Sequence, residues 1–367
     1  MIFFRDNLVK IIIGLSAIGL VVLFLAVFIF VQAKKAVVYE GENKDVRLSE
    51  VVIRSVLPKN KKEDPTRMLF FGDMMLDRNV GVAIDKNGFD YLFEKLDSQG
   101  VFDGYDLVSA NLEGAVTNGG EHYAPKMAYD FAFDPELVLK LKEYNFNFFN
   151  LSNNHLGDQG VNGVNETRRN LDELGFDYSG CREKNIGECS SKIINVNNKK
   201  IGMVGFTMVY GELDRKQMVN IIKDTASSSE LVVVNIHFGV EYEHEFRSLQ
   251  QSVAYDLIDA GADVIIGHHP HVVQGIEVYR NKPIFYSLGN FIFDQYFSEA
   301  TQEGFGVSLE LSESGMWITL LPYISENSQV ISMDETQSLN FYDRLIKYSN
   351  LDDEYADQLR QGRLKID

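Results

Sequence analysis

Short apolar runs alternate with stretches of helical periodicity along most of the chain. Runs typical of buried strands occupy residues 68–72, 107–110, 146–151, 201–206, 231–236, 264–266 and 283–286. Helical periodicity occurs near residues 88–98, 135–144, 162–174 and 247–260. This alternation predicts an α/β fold with a buried sheet. Two further strands, predicted at 306–311 and 317–322, follow each other without an intervening helix, which favours antiparallel pairing.

The N-terminal pattern is different. Residues 11–33 carry no formal charge and are long enough to cross a bilayer as one helix. The run is longer than the apolar region of a signal peptide, so we expect an uncleaved anchor, although a weak small-residue cleavage pattern at 31–33 leaves removal open. Lysine and arginine residues occur on both sides of the run, and long domains translocate largely regardless of charge. The charge pattern therefore leaves the orientation open.

These patterns divide the chain into five parts. They are a short N-terminal tail at 1–10, a transmembrane anchor at 11–33, a polar linker at 34–66, a folded domain at 67–325, and an acidic, helix-compatible extension at 326–367.

Composition and net charge make some classes of function less expected than others. The 367 residues include 45% hydrophobic and 24% charged side chains, and the net charge is −18. A nucleic-acid partner is not expected, because no basic face is visible. An anionic polymer would have to be held by a metal or by a local basic cleft. The two cysteines, Cys181 and Cys189, could close a small loop in an oxidising compartment or remain free thiols in a reducing one.

Candidate chemistry gathers where the predicted strands end. Five of the seven histidines and several carboxylate and amide residues follow predicted strands directly: Asp73, Asn111, Glu113, Asn154, His155, His237, His268, His269 and His271. Taken singly, a lone Asp is more often a turn former or helix cap and a lone His more often a hydrogen-bonded residue than a metal ligand. Ligands of α/β sheets gather at the carboxyl ends of the strands, so together these residues predict one shared metal site.

The types of side chain indicate which metals fit. Carboxylate, amide oxygen and imidazole together favour Mn, Fe or Zn over Ca, which prefers oxygen ligands only. The predicted cofactor is therefore one or two of these divalent ions, and a carboxylate that bridges two ions would support hydrolysis. A purely structural zinc site is disfavoured because these motifs contain no thiolate.

Six motifs in order resemble the CapA/PgsA family of capsule and poly-γ-glutamate biosynthesis proteins, within the calcineurin-like metallophosphoesterase superfamily. They are GDMMLDR at 72–78, NLE at 111–113, SNNH at 152–155, HFGVEY at 237–242, GHHPH at 267–271 and YSLGNFIF at 286–293. The resemblance covers about residues 68–322 and implies a four-layer α/β/β/α sandwich, here behind a single N-terminal transmembrane helix.

The resemblance also implies roles for individual residues. Asp73 and His271 would hold a first metal, Glu113 would bridge, and Asn154, His237 and His269 would hold a second metal. His155 would donate a proton to the leaving group. Residues expected to contact substrate or to orient these groups are Arg78, Asn111, Asp158, Glu241, Tyr242, His268 and Asn290.

One position departs from the wider superfamily. Met75 stands where the superfamily usually has a histidine ligand, which leaves the first metal one donor short and puts dinuclear hydrolysis in doubt. His268 could compensate, or Arg78 could replace the missing metal charge at the substrate.

Three functional hypotheses follow. The first is a membrane-anchored protein, with its main domain outside the cytoplasm, that works with capsule or polyglutamate synthase subunits to make or export an anionic polymer. The second is a stand-alone phosphoesterase acting on phosphate esters. The third is a non-catalytic scaffold of a membrane polymer-synthase complex, for which Met75 is the main support.

Overall fold

The computed structural model describes residues 64–124 and 129–366. The predicted tail, the predicted anchor at 11–33 and most of the predicted linker lie outside these residues. Within the described part of the chain, no helix is both long and apolar enough to cross a membrane.

In the described part of the chain, strands and helices alternate from Thr66 to His268, after which strands dominate. The strands are β1 (Thr66–Met74), β2 (Leu107–Leu112), β3 (Ala115–Val116), β4 (Ala132–Phe133), β5 (Phe146–Asn150), β6 (Asp177–Ser179), β7 (Ser191–Val196), β8 (Lys199–Thr207), β9 (Leu231–His237), β10 (Val264–His268), β11 (Ile276–Tyr279), β12 (Lys282–Phe285), β13 (Asn290–Ile292), β14 (Glu303–Ser312), β15 (Gly315–Glu326), β16 (Gln329–Ser332) and β17 (Arg363–Ile366).

The α-helices are α1 (Arg78–Asn87), α2 (Glu94–Asp97), α3 (Pro135–Lys140), α4 (Gly160–Leu174), α5 (Arg215–Ala226), α6 (Ser248–Ala260), α7 (Glu335–Tyr348) and α8 (Asp353–Leu359). Short 3-10 turns occupy Phe89–Leu92, Asn118–Gly120, Leu141–Tyr144 and Glu188–Ser190.

Two large sheets form the centre of the described domain. The first has the strand order β16-β15-β14-β1-β2-β5-β6, with β13 also paired to β1 and β17 to β15. The second has the order β11-β12-β10-β9-β8-β7. In the first sheet β1, β2 and β5 run parallel, and in the second β8, β9 and β10 do. The carboxyl ends of these six strands carry most of the predicted site residues.

Three apolar cores separate the layers. The core between the two sheets contains residues from both, including Phe70 of β1, Met203 of β8 and Ile266 of β10. A second core joins the first sheet to α1 and α4, and a third joins the second sheet to α5 and α6. Along β1 the side chains alternate between two cores, since Phe70 faces the second sheet and Phe71 faces the helices. The mixed α/β fold expected from the sequence is confirmed.

Two helices were not predicted from the pattern. Helix α1 contains Val80, Gly81 and Val82, which have low helix propensity and hide the periodicity, but Asp77 caps its first turn by accepting from the backbone N–H of Arg78. Helix α5 begins after Asp214, whose side chain accepts from two backbone N–H groups, and it buries Met218 and Ile222. Both helices cover outer faces of the sheets.

The C-terminal segment joins the main sheet. Strand β16 pairs with residues 323–326 of β15, and β17 pairs with residues 316–319 of the same strand. Leu345 of α7 and Leu364 of β17 are buried in the core between the sheets. Residues 329–366 therefore contribute two strands to the first sheet and apolar side chains to the core between the sheets.

Candidate metal centre

The predicted site residues converge where the two sheets meet. Asp73 lies at the carboxyl end of β1 and is fully buried. One of its oxygens accepts from the backbone N–H of His269, which follows β10 in the other sheet, at 3.2 Å. The chain also packs closely beside Asp73: a Cβ on Gly72 would lie 1.9 Å from the carbonyl oxygen of Gly289, so only glycine fits there.

Asn111 is the hydrogen-bonding centre of the site. Its side-chain amide donates to Asp73 Oδ1 at 2.7 Å and to Glu113 Oε2 at 3.2 Å. Its oxygen accepts from Asn150 Nδ2 at 2.8 Å and from Asn153 Nδ2 at 3.2 Å. All five side chains are buried. From its place on β2, Asn111 therefore fixes the distance between the carboxylates of Asp73 and Glu113.

Three buried side chains form the first candidate ion position. Ligand atoms of Asp73, Glu113 and His271 all lie within 4.8 Å of one another. His271 Nδ1 is 2.8 Å from the side-chain oxygen of Asn290, which leaves Nε2 to face Glu113 Oε1 at 3.9 Å. Asn290 therefore orients the histidine, as metal-binding imidazoles are usually oriented by a partner on the other ring nitrogen.

The predicted ligands of a second ion also come together. Asn154 Oδ1 lies 2.7 Å from His237 Nε2, and the same nitrogen lies 3.9 Å from Glu113 Oε1. The rings of His237 and His269 have their centres 4.8 Å apart. Glu113 thus stands between the two groups, where a bridging carboxylate would be needed.

His155 and Asp158 form a pair beside the two groups. His155 Nδ1 is 2.7 Å from Asp158 Oδ2, and its Nε2 is 3.7 Å from Glu113 Oε1. Asp158 also accepts from the backbone N–H of Phe131, whose ring lies against the imidazole. The carboxylate fixes the ring so that Nε2 points to the site.

Burial and neighbouring charges shift the pKa values of the buried acids and histidines away from their usual ranges. Burial opposes ionisation of Asp73, but hydrogen bonds from His268 and His271 hold the pKa of this carboxyl well below its usual range. Burial and the neighbouring Asp73 raise the pKa of Glu113 well above its usual range. Burial also lowers the pKa of His237 well below its usual range, and that of His269, next to His271, to about 3. These two imidazoles are neutral near pH 7, the form that binds metals.

His271 behaves differently from the other two histidines. Burial disfavours its charged form, but the carboxylates of Glu113 and Asp73 outweigh this and raise its pKa to about 9. A proton on His271 thus balances Asp73, in the place where a divalent cation would supply the positive charge.

The donor atoms fit a divalent ion. Glu113 Oε1 and His269 Nδ1 are buried and have no hydrogen-bond partner in the described structure. Buried polar atoms without partners are rare and costly, and a bound cation would satisfy them. His268 itself lies behind the site, with Nδ1 3.5 Å from Asp73 Oδ1 and Nε2 3.3 Å from Asn235 Oδ1.

Met75 does not take the place of the missing histidine. Its side chain is fully buried, and its sulfur accepts from the backbone N–H of Asp77 at 3.0 Å. The thioether is therefore directed at the start of α1, so β1 contributes Asp73 alone to the ion positions.

A cleft of about 300 Å³ opens beside the candidate metal site. It is lined by Arg78, Tyr129, Phe131, His155, Glu241, Tyr242, His271, Phe293, Asp294, Gln295 and Phe297. The rings of Tyr129, Tyr242 and Phe297 are exposed at its rim, at 63%, 45% and 67%. Exposed aromatic groups around a polar centre are typical of a ligand-binding surface.

Arg78 is paired inside this cleft. Its Nε lies 3.0 Å and its Nη2 2.9 Å from the two oxygens of Asp294, a carboxylate with a fully buried side chain. Its guanidinium also lies over the rings of Tyr129 and Phe131. The sequence singled out Arg78 but not Asp294, which lies 216 residues away, so the neutralising partner of this cation was missed.

The two cysteines form a disulfide behind the asparagine-histidine loop. The backbone N–H of Cys181 donates to Ser152 Oγ at 3.2 Å, two residues before Asn154. Of the alternatives that the sequence left open, the structure therefore has the closed loop, and this loop supports the segment that carries Asn154 and His155.

Comparison with known proteins identifies similar chains. The sequence profile of the family described as bacterial capsule synthesis protein PGA_cap matches residues 67–295. The chain is 30% identical over 332 residues to the PGA biosynthesis protein CapA of Bacillus subtilis (strain 168), covering 84% of each chain. It is 32% identical over 277 residues to the capsule biosynthesis protein CapA of Bacillus anthracis, covering 70% of this chain and 66% of that one.

Among solved structures, the chain resembles the crystal structure of a phosphatase from Mycoplasma pneumoniae. The two share 14% sequence identity with a TM-score of 0.43, over 77% of this chain and 99% of the other.

Proposed function

The chain belongs to the PGA_cap family of bacterial capsule synthesis proteins, and from this premise we propose that it takes part in the synthesis or export of a capsule polymer such as poly-γ-glutamate through a metal-binding, phosphoesterase-like site. The observation that carries the proposal is the position of Glu113. This buried carboxylate lies between two groups of donor atoms, one containing Asp73 and His271 and the other containing Asn154 and His237.

The residues around Glu113 support hydrolysis of a phosphate ester. When bound, a divalent ion would supply Lewis acidity to a phosphoryl oxygen. Asn111 and Asn290 hold Asp73 and His271 in place through their side-chain amides. His155 presents Nε2 to the same space while Asp158 holds Nδ1, an arrangement that suits a proton donor to a leaving oxygen.

We place the folded domain outside the cytoplasm, tethered by the predicted helix at 11–33. The length of that apolar run supports the tether, and the Cys181–Cys189 disulfide supports an oxidising compartment. Membrane-bound polymer-synthase subunits are the proposed partners, because the relatives are named as capsule and PGA biosynthesis proteins. The substrate is an anionic polymer or a phosphate ester, with no role for nucleic acid.

The test combines metal analysis with hydrolysis. Full-length protein purified in detergent is expected to contain Mn, Fe or Zn and to hydrolyse a generic aryl phosphate. Asp73→Asn is expected to lose metal and activity. His155→Gln is expected to keep metal and lose about 100-fold or more in rate. His244→Gln is the matched control, since His244 lies outside the metal centre and stacks on Tyr348. Folded protein that binds none of these metals would refute the proposal.

A non-catalytic scaffold is the second candidate. It is supported by Met75, whose sulfur is engaged with Asp77 and leaves the first ion position with one donor fewer than the superfamily pattern. Metal-loaded protein that hydrolyses no phosphate ester, but restores polymer production to a strain lacking its gene even as the His155→Gln variant, would favour the scaffold. Hydrolysis without any effect on polymer production would favour a stand-alone phosphoesterase.

A further inference from the structure

We infer that Glu241 is a metal ligand on the cleft side of the metal centre, where it holds an ion together with His269 and His271. This inference rests on the proposed metal site and extends it by one residue. The sequence motif places Glu241 in the loop after β9, where it is equally compatible with contacting substrate or orienting His237.

Glu241 is the carboxylate that reaches the two imidazoles from the cleft. A ligand atom of Glu241 lies within 4.8 Å of ligand atoms of both His269 and His271. His269 is only 5% exposed, and its Nδ1 has no hydrogen-bond partner in the described structure. A buried nitrogen without a partner, beside an acid and a second imidazole, is the arrangement that a cation would complete.

The backbone holds Glu241 in this place. Gly239, two residues earlier, has φ of +102°, and Tyr242, the next residue, has φ of +67°. The N–H of Tyr242 donates to the carbonyl of Pro270 at 2.8 Å, which ties the loop after β9 to the histidine loop after β10. A left-handed conformation at Tyr242 is unfavourable and is maintained here by that contact, so the position of Glu241 is set by the fold.

The negative charge of Glu241 also favours a bound cation. Among the described residues no lysine or arginine makes an ion pair with Glu241, whereas Glu243, two residues on, pairs with Arg247 at 2.7 Å. Arg78, the cation of the same cleft, is paired with Asp294. Glu241 therefore adds negative charge beside His269 and His271, which a divalent ion would offset.

The extra carboxylate bears on which metal is bound. Glu241 adds a carboxylate oxygen to the imidazoles of His269 and His271. A carboxylate beside imidazoles favours Mn or Fe more than imidazoles alone would.

The experiment compares Glu241→Gln with Glu243→Gln in the full-length protein, by titration with Mn²⁺ followed by electron paramagnetic resonance and calorimetry. Both variants remove one exposed charge from the same loop, so they match in long-range electrostatics. We expect Glu241→Gln to weaken one class of Mn²⁺ sites about tenfold or more, and Glu243→Gln to change it by less than about twofold.

The outcomes separate the inference from the proposed function. Unchanged Mn²⁺ affinity and unchanged resonance spectrum in Glu241→Gln would overturn the role of Glu241 while leaving the metal centre intact. Wild-type protein that binds no metal would overturn the proposed function as well. Thermal unfolding of the metal-free variants, expected to match wild type, shows that Glu241→Gln acts on the ion and not on folding.

Discussion

The side-chain amide of Asn111 donates to Asp73 Oδ1 at 2.7 Å, and this contact links the first two strands of the site. The same amide reaches Glu113, and its oxygen accepts from two further asparagines, Asn150 and Asn153. A neutral amide in this place can hold two carboxylates at a fixed separation without itself competing for a metal. Preorganisation of this kind lowers the cost of assembling an ion site.

Replacing Asn111 by alanine is expected to lower stability and metal affinity together. The change leaves Asp73, Asn150 and Asn153 with unsatisfied buried groups, so the free energy of unfolding in urea should fall by at least about 2 kcal/mol. Metal affinity should fall by about 10- to 100-fold. The control is Asn87→Ala, an exposed residue on α1. Equal unfolding midpoints for Asn111→Ala and wild type would contradict this account of the amide.

Removing the charge of Asp294 is expected to strengthen anion binding in the cleft. Asp294→Asn keeps a side-chain oxygen for the N–H of Asn79 but no longer neutralises Arg78. Affinity for inorganic phosphate, measured by calorimetry with metal present, should rise by up to about fivefold, the range of a partly exposed ion pair.

The matched control for Asp294 is Asp256→Asn, which removes an acid that pairs with Arg215 at 2.7 Å on the outer helices. Phosphate affinity that rises equally in both variants would show a general effect of net charge. That result would count against a local role of Arg78.

Breaking the disulfide is expected to destabilise the loop that carries Asn154 and His155. The bond joins residues eight apart, and loss of such a short loop closure costs about 2–3 kcal/mol. Urea unfolding with and without reductant measures the change. The double variant Cys181→Ser and Cys189→Ser should show the same loss and no further response to reductant. A reductant effect that persists in the double variant would contradict the assignment to this bond.

Gly72 is expected to tolerate no side chain. A Cβ at this position would lie 1.9 Å from the carbonyl oxygen of Gly289, and backbone on both sides would have to move, which carries Asp73 with it. Gly72→Ala should therefore lose about 3 kcal/mol or more in urea unfolding and also lose metal. Gly187→Ala is the control, because a Cβ there meets nothing within 4 Å and should change stability by less than about 0.5 kcal/mol.

The sequence pattern by itself determined the α/β class and the convergence of the site. Strands such as β2 and β9 are buried along their whole length, so each reads as a largely apolar run that stops where the chain turns. Polar residues directly after such runs must lie at one end of the sheet, because parallel strands share their carboxyl ends. That reasoning was sufficient to bring Asp73, Glu113 and His237 together.

The same pattern was insufficient where local signals were weak. Helix α1 has Gly81 between two valines, and the β-branched and glycine residues obscure the helical period. The strands β16 and β17 are only four residues long each, and their place in the sheet depends on pairing with β15. Short strands carry too few positions for alternation to be recognised.

Tertiary structure alone decided the contacts between distant segments. Arg78 and Asp294 are separated by 216 positions, and no periodicity relates them, so the sequence presents the arginine as a free cation while the fold pairs it. The direction of the Met75 sulfur, towards the N–H of Asp77, is likewise set by the fold. The approach of Glu241 to His269 and His271 depends on backbone angles and on the hydrogen bond from Tyr242 to Pro270. Residue types and strand ends are local properties of the sequence, whereas the geometry of donors around an ion is fixed only when both sheets pack.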